Sequence, residues 1–514
     1  MTTLYQTRLE LLGHSANNKL LSAIRHGIER EGLRVSDAAE LSTASHPEAF
    51  GKALTHPYIT TDFSEALLEY ITPVHCRVDD TLAFLEELQR YTAQHFDQEL
   101  LWAGSMPCGL KDVDSIPIAD YGQSNIGKMK SIYREGLSNR YGKAMQAIAG
   151  LHYNFSLPES IWPLLSTDQS QGYLALIRNF MRYSWLLMYL LGGSPAVSRT
   201  FFADGGEHSG LKEFDCNTLY LPYATSLRMS DMGYSNNAQS SLNVSYNSLG
   251  DYVDSLWNAI HMPYEGYEQI GVKVDGEYRQ LNANLLQIEN EYYSTIRPKR
   301  IACSGEKPLT ALRRDGVEYV EVRCIDINPF DGLGIAIQDA RFLDIFLMYC
   351  ALQESPSIGS DELKAIKTNF DKTVLEGRCP DFTLEHHGRA VRLPDVGEEL
   401  LAQMLPVAQL LDSASGDNGF TQSLALQSEK LMDAGKTPSA RVMAAMETSG
   451  LGYTDLMLEL SKKHDTQFKS NPLSEERLRY FTQVAKRSTR DQQSIEQEDS
   501  VSFDEFLKNY ELAD

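Results

Sequence analysis

The chain is short of positive charge, paired cysteines and long apolar runs, and each shortage removes a class of function. Over 514 residues, 47 Lys and Arg stand against 70 Asp and Glu, a formal net charge of −23. A phosphate-backbone partner demands a basic face, so nucleic-acid binding is not expected. The seven cysteines (Cys76, Cys108, Cys216, Cys303, Cys324, Cys350, Cys379) are scattered and form no C-x-x-C pair. Zinc and dithiol redox motifs therefore have no support, and an odd, dispersed set fits reduced thiols in a cytoplasm. The most apolar run, WLLMYLLGG from Trp185, falls far short of the roughly 20 residues that span a bilayer. It reads as a buried helix. The N-terminal MTTLYQTRLELLGH lacks the unbroken apolar stretch of a secretory leader, so the expected setting is cytoplasmic, without a membrane partner.

Familiar catalytic signatures are missing too. No G-x-G-x-x-G, G-x-S-x-G or H-E-x-x-H occurs, which leaves dinucleotide-binding, hydrolase-elbow and zincin chemistries unsupported. The run from Gly122 through Gly127 to Lys128 follows a phosphate-binding P-loop for seven positions. Met129 then stands where Ser or Thr should be, and no apolar strand precedes it. It is not a P-loop, which leaves a flexible active-site loop as its remaining role.

What is present is ordinary in bulk, with 42% hydrophobic and 23% charged residues, and informative in pattern. Residues 15–35 read as a short helix entering the strand GIEREGLRV. VDDTLAFLEELQRYTAQHF has apolar residues at helical spacing, and SIYREGLSNRYGKAMQAIAG reads as a helix ending at Gly150. LHYNFSLP alternates strictly, with Leu151, Tyr153, Phe155 and Leu157 on one side. Polar loops at Ala203–Gly210 and Ser235–Asn247 are candidate lids. From Asp339 onward the pattern is helical, apart from a strand signal at Thr383–Arg389. The acidic tail from Ser488 to Asp514 is given no chemistry. Strands dispersed among helices without a βαβ rhythm predict an α+β fold with a largely antiparallel sheet. The division expected is a catalytic region over 1–400 and a helical region over 401–514.

Four short segments carry the chemistry. Glu29 and Glu31 lie in GIEREGLRV, Glu69 in ALLEYITP, His152 and Asn154 in LHYNFSLP, and Glu321 with Arg323 in YVEVRCIDINPF. In a strand, residues i and i+2 share a face, so each segment can aim its polar groups at one place while packing its other face on a core. Carboxylates about 6 Å apart repel by roughly 3 kcal/mol per pair at an effective dielectric near 20. Six such pairs would exceed roughly 15 kcal/mol, the stability of a whole domain. Protonation, Arg partners such as Arg30 or Arg34, or bound cations must then neutralise them; an oxygen-rich set favours Mg²⁺ or Mn²⁺ over zinc. Asp62 is a fifth ligand candidate or the N-cap of a following turn. Arg323 suits an oxyanion clamp, and Arg297, Lys299 and Arg300 form a second cationic cluster.

At these residues the chain resembles glutamate–cysteine ligase of the bacterial type. The matching blocks are GIEREGLRV, ALTHPYITTDFSEALLEYITP, YREGLSNRYG, GLHYNFSLP, LPYATSLRMSDMGY, LQIENEYYSTIRPKR and EYVEVRCIDINPF. The resemblance implies a saddle-like antiparallel sheet, like the catalytic domain of glutamine synthetase, holding ATP and two or three Mg²⁺ ions. By position it implies metal-site roles for Glu29, Glu31, Asp62, Glu69, His152 and Glu321, with Arg323 on the transferred phosphoryl. Arg228 resembles the residue that holds the carboxylate of L-glutamate. Phe63, Tyr133, Leu137, Gln146, Tyr234 and Tyr293, with Asn154, fall to substrate binding, chiefly of L-cysteine. Arg297, Lys299, Arg300 and Arg323 fall to the nucleotide. A monomer is expected.

Overall fold

Alternation places the four chemistry-bearing segments side by side. A computed structural model describes residues 3–202, 210–233, 238–239, 242–303 and 305–512. The main sheet comprises β1 (Arg25–Ser36), β2 (Ile59–Thr61), β3 (Leu67–Ile71), β4 (Glu99–Leu101), β5 (Leu151–Ser156), β6 (Ile296–Lys299) and β7 (Tyr319–Ile325). Its spatial order is β6-β7-β5-β1-β3-β2, with β4 paired to the end of β1. Every pairing in it is antiparallel. The chain has the expected α+β architecture.

Register decides which residues meet. Ile28 lies opposite Tyr153, and Tyr153 opposite Val322. All three are fully buried in the larger hydrophobic core. One residue along, Glu29 lies opposite His152, Glu31 opposite Glu69, and Glu321 opposite both Asn154 and Arg297. The two-residue period thus sends one ladder to the core and its neighbour to a polar face. The apolar ladder packs beneath two helices, Gln169–Leu191 and Ile337–Leu352. The first contains WLLMYLLGG up to Leu191 and is buried there as expected. No helix among the described residues is long and apolar enough to cross a membrane.

Elsewhere the outcome is mixed. VDDTLAFLEELQRYTAQH forms a helix over Val78–His95. The expected helix to Gly150 is shorter: it covers Asn125–Tyr141 and stops at Gly142, whose φ of 80° leaves the helical region. A 3₁₀ turn at Met145–Ala147 then delivers the chain to β5. The signal at Thr383–Arg389 is a hairpin, Thr383–His386 with Arg389–Arg392. All seven cysteines are unpaired. Most of Ala203–Gly210 and the start of Ser235–Asn247, both expected as lids, lie outside the described residues; Val244 and Tyr246 of the second are buried in the core.

Beneath the sheet, a polar knot ties helix to strand. Asp344 accepts from the Tyr153 hydroxyl at 2.7 Å and sits 3.0 Å from Nε2 of His26, all three buried. Asp344→Ala strands both partners in the core and should cost about 3–5 kcal/mol. A thermal melt unchanged from wild type would show that the knot contributes nothing.

Candidate active site

His152 stands at the centre of the polar face. Its Nδ1 is 3.1 Å from Glu29 Oε2 and 3.7 Å from Glu321 Oε1, and its Nε2 is 3.6 Å from Glu31 Oε1. Two groups of ligand atoms each fall within 4.8 Å: Glu29, His152 and Glu321, and Glu31, Glu69 and His152. A neutral imidazole has one lone pair and one N–H. It can ligate in one group while donating to the carboxylates of the other. Asn154 Nδ2 donates to Glu29 Oε1 at 2.9 Å, and the Gly150 amide donates to Glu31 Oε2 at 2.6 Å.

The register slips by one residue in β7 between Val322 and Ile325. Such bulges re-aim side chains, and this one holds Arg323. Its Nη1 donates to Glu321 Oε1 at 2.9 Å, while Lys299 Nζ lies 3.5 Å from Glu321 Oε2. Arg297, opposite Glu321, donates to the Asn290 carbonyl at 3.0 Å. Strand alternation splits the expected cationic cluster. Arg300 departs from it, its Nε donating to the Gly316 carbonyl at 2.5 Å.

Above the floor lies a cavity of about 280 Å³, near the low end of the roughly 300–1,000 Å³ usual for small-molecule sites. Glu31, Asp62, Phe63, Tyr133, Leu137 and Gln146 line it, and so do His152, Arg228, Tyr293, Arg297 and Arg323. Asp62 is in the turn after β2 and caps no helix. Arg228 is buried, donates to the Arg323 carbonyl at 2.9 Å and lies 3.6 Å from Asp326. Gln146 donates to the Tyr293 hydroxyl at 3.0 Å. Glu29, Glu69, Glu321, Asn154 and Lys299 sit in the floor beneath. Tyr234 lies outside the described residues. Arg134, Glu291, Lys367 and Asp371 also line the cavity and were not anticipated. Arg134 shares the inward face of its helix with Tyr133 and Leu137, a spacing that could have exposed it; it donates to the Asp62 carbonyl and stacks on Tyr121. Glu291 is tied down by Arg140 at 2.8 Å, the Tyr141 hydroxyl and the Gln287 amide. Lys367 and Asp371, paired at 2.9 Å along a helix, look in sequence like any solvated pair.

The electrostatics separate the carboxylates. Burial pushes the Glu69 carboxyl well above its ordinary value, and Glu29, Asp62 and Glu31 add to the push. Burial likewise raises Glu31, against the pull of His152. Burial acts on Glu321 in the same sense, but Lys299, Arg323 and His152 outweigh it and hold the group well below the usual range. Glu29 also ends below: burial and the repulsion of Glu321 push it up, but the hydrogen bond and charge of His152, with Lys299, together outweigh them. The face is acidic where Glu31 and Glu69 meet and compensated where Arg323 and Lys299 reach in.

An antiparallel sheet that gathers carboxylates beneath a wall of guanidinium groups defines an enzyme site built for charged small molecules. The family model for glutamate-cysteine ligase matches residues 9–373. Glutamate–cysteine ligase of Azotobacter vinelandii is 50% identical over 526 aligned residues, covering 100% of this chain and 99% of that one. The Pseudomonas aeruginosa LESB58 protein of the same name is 50% identical over 523, covering 100% and 99%. The crystal structure of glutamate–cysteine ligase from Francisella tularensis in complex with AMP matches with a TM-score of 0.90 at 36% identity, covering 95% of this chain and 97% of that one. The chain belongs to the glutamate–cysteine ligase family.

Ionised Glu69 costs the cation-free fold stability, because its folded value lies above its unfolded one. Glu69→Gln in a chelator should therefore raise the thermal midpoint, by roughly 1–3 °C. The wild-type deficit should shrink as pH falls toward the unfolded carboxylate value, about 4.3. A lower midpoint for the variant in chelator would contradict this reading of the floor.

Proposed function

We propose that this protein joins the γ-carboxyl of L-glutamate to the amino group of L-cysteine at the expense of ATP, the first step of glutathione synthesis. One observation carries the reading: carboxylates from β1, β3 and β7 converge on His152 at the base of a cavity walled by Arg228, Arg297 and Arg323. Family membership supplies the reaction type.

The donor set fits hard cations. Glu29, Glu31, Asp62, Glu69, His152 and Glu321 offer oxygens with a single imidazole, the preference of Mg²⁺ and, second, Mn²⁺. The buried Glu321 Oε2 has no hydrogen-bond partner, as suits a ligand atom. These residues would hold two or three ions, whose charge would offset that of the polyphosphate.

The chain's own groups do the rest. Arg228, already fixed by Asp326 and the Arg323 carbonyl, receives a carboxylate of glutamate. The γ-carboxylate oxygen attacks the terminal phosphorus of ATP, the bond to the bridging oxygen breaks and ADP leaves. Arg323 faces the transferred phosphoryl and stabilises its charge as it moves. The resulting acyl phosphate is an electrophile, as the carboxylate was not. The cysteine nitrogen then attacks its carbonyl carbon, phosphate departs and the nitrogen loses a proton. Phe63, Tyr133, Leu137, Gln146 and Tyr293 form the amine pocket, a role the family resemblance also gives Tyr234; Asn154 braces Glu29. The thiol takes no part, so the pocket need only read its size and polarity, and no cysteine of the protein is required. Arg297 and Lys299 extend the cationic wall toward the nucleotide phosphates. The net charge of −23 supports small-molecule partners over nucleic acid. The unpaired thiols suit a cytoplasmic setting, and we read the enzyme as a monomer.

Purified protein given ATP, Mg²⁺, glutamate and single amines should release ADP with cysteine or 2-aminobutyrate and not with bulkier amines; preference for another amine would reassign the acceptor. Arg323→Lys should lower kcat by about tenfold or more with a smaller change in substrate KM, since Lys gives no bidentate clamp. An unchanged kcat removes that role. Glu321→Gln should weaken Mn²⁺ binding measured by calorimetry without substrates, and wild-type affinity would exclude it as a ligand.

A further inference from the structure

The run from Gly122 to Lys128, which imitates a P-loop, is occupied by the protein's own tail. Ser124 caps the helix Asn125–Tyr141, its hydroxyl accepting from the Gly127 amide. The backbone amides on either side point at the C-terminal segment. Asn125 N–H donates to Asp499 Oδ2 at 2.5 Å, and Gln123 N–H donates to Glu496 Oε1 at 2.9 Å. Asn125 Nδ2 also reaches the Val501 carbonyl at 3.1 Å. Carboxylates at a helix N-terminus meet both its unsatisfied amides and the positive end of its dipole. Gly122, at φ 83°, is there for room: a Cβ on it would lie 2.1 Å from Gln492 and 2.4 Å from Glu496.

Beyond Asp499 the chain turns into the helix Phe503–Leu512, which lies along the outer face of the same Asn125–Tyr141 helix. Ile126, Met129 and Ile132 pack there against Phe503, Phe506 and Leu507. Two further anchors hold the tail: Asp504 accepts from the Tyr278 hydroxyl at 2.6 Å and pairs with Lys273 at 3.2 Å, and Lys307 donates to the Glu511 carbonyl at 3.1 Å. Tyr133 joins the two sides. It packs on the tail cluster, on the site-side core and on the cavity itself.

We propose that residues 496–512 form a strap that positions the amine-pocket wall carried by Tyr133 and Leu137, with Glu496 and Asp499 as its positioning residues. The inference rests on the amine-pocket reading given above. Neither carboxylate touches the cavity, so they act through the placement of the helix. Glutamate and ATP are read mainly by Arg228, Arg323 and the acidic floor, which the strap does not contact.

The test uses the full-length protein with Asp499→Ala, Asp499→Asn and Phe506→Ala, assayed with ATP, Mg²⁺, glutamate and either cysteine or 2-aminobutyrate. Asp499→Ala should raise the KM for the amine about fivefold to tenfold, the effect of one lost charge-assisted bond at a helix terminus. The KM for glutamate and kcat should stay within about twofold, and amide exchange over residues 125–133 should quicken. Asp499→Asn, which keeps an acceptor oxygen, should restore part of the loss. Phe506→Ala gives the same split through packing and keeps the test open if the charge variant folds poorly. An unmoved amine KM, or a parallel rise for glutamate and amine, overturns the strap. Wild-type ADP release that ignores the amine sinks the ligase reading instead, so the two failures are told apart.

Discussion

Glu29, Glu31, Glu69 and Glu321 repel one another across a buried sheet face, and the architecture is organised around containing that repulsion. Pairs at such spacings cost roughly 3 kcal/mol each at an effective dielectric near 20, a burden comparable to a domain's stability. The protein compensates unevenly. Glu321 has Arg323 and Lys299, Glu29 has Asn154 and His152, and Glu31 has the Gly150 amide. Among the described residues no hydrogen bond reaches the Glu69 carboxylate, and burial, with Glu29, Asp62 and Glu31 nearby, drives its proton affinity up. Arg134 only partly offsets that push. Carboxylates gathered without full compensation are the stability-for-function trade expected where binding groups are assembled in advance.

Such a floor survives only if the reverse side of the same strands holds firmly. Each strand has two faces and a period of two, so the residues flanking the acids are committed to the core. Ile28, Tyr153 and Val322 form an apolar ladder one residue out of step with Glu29, His152 and Glu321. A slip of one residue would bury the acids in the helices and expose the ladder. The His26–Asp344–Tyr153 knot pins that register from beneath. The one slip the sheet does contain, the bulge in β7, falls beside Arg323.

What was legible in the sequence follows from these two facts. The strand segments showed themselves because alternation between apolar and charged residues suits a two-faced strand and fits no helix, and two-residue spacing predicted which acids share a face. The same rule, applied to Arg297–Pro298–Lys299–Arg300, would have removed Arg300, which points to Gly316 from the opposite side. Lys367 and Asp371 could not have been found this way, since an i, i+4 ion pair on a helix reads as a solvated surface wherever the helix is placed. Glu291 was hidden for a different reason: its partners Arg140 and Tyr141 come from a distant helix end and Gln287 from a loop. The helix that was expected to reach Gly150 ends at Gly142 because a positive φ suits glycine and breaks the ladder of helical bonds.

The acidic tail and the false P-loop were unreadable singly and account for one another together. A glycine-flanked turn opening a helix is an anion site by construction, since its amides are unpaired and its dipole is positive. Here the anions are Glu496 and Asp499, covalently part of the chain and therefore present at high effective concentration. The helix N-terminus is thereby filled by the chain itself, while Arg323 lies within reach of the carboxylate floor. The helix so capped presents Tyr133, Arg134 and Leu137 to the cavity from its other side. The helix is a rigid rod about 25 Å long, so a contact made by residues 496–512 bears on the pocket wall that Tyr133, Arg134 and Leu137 carry.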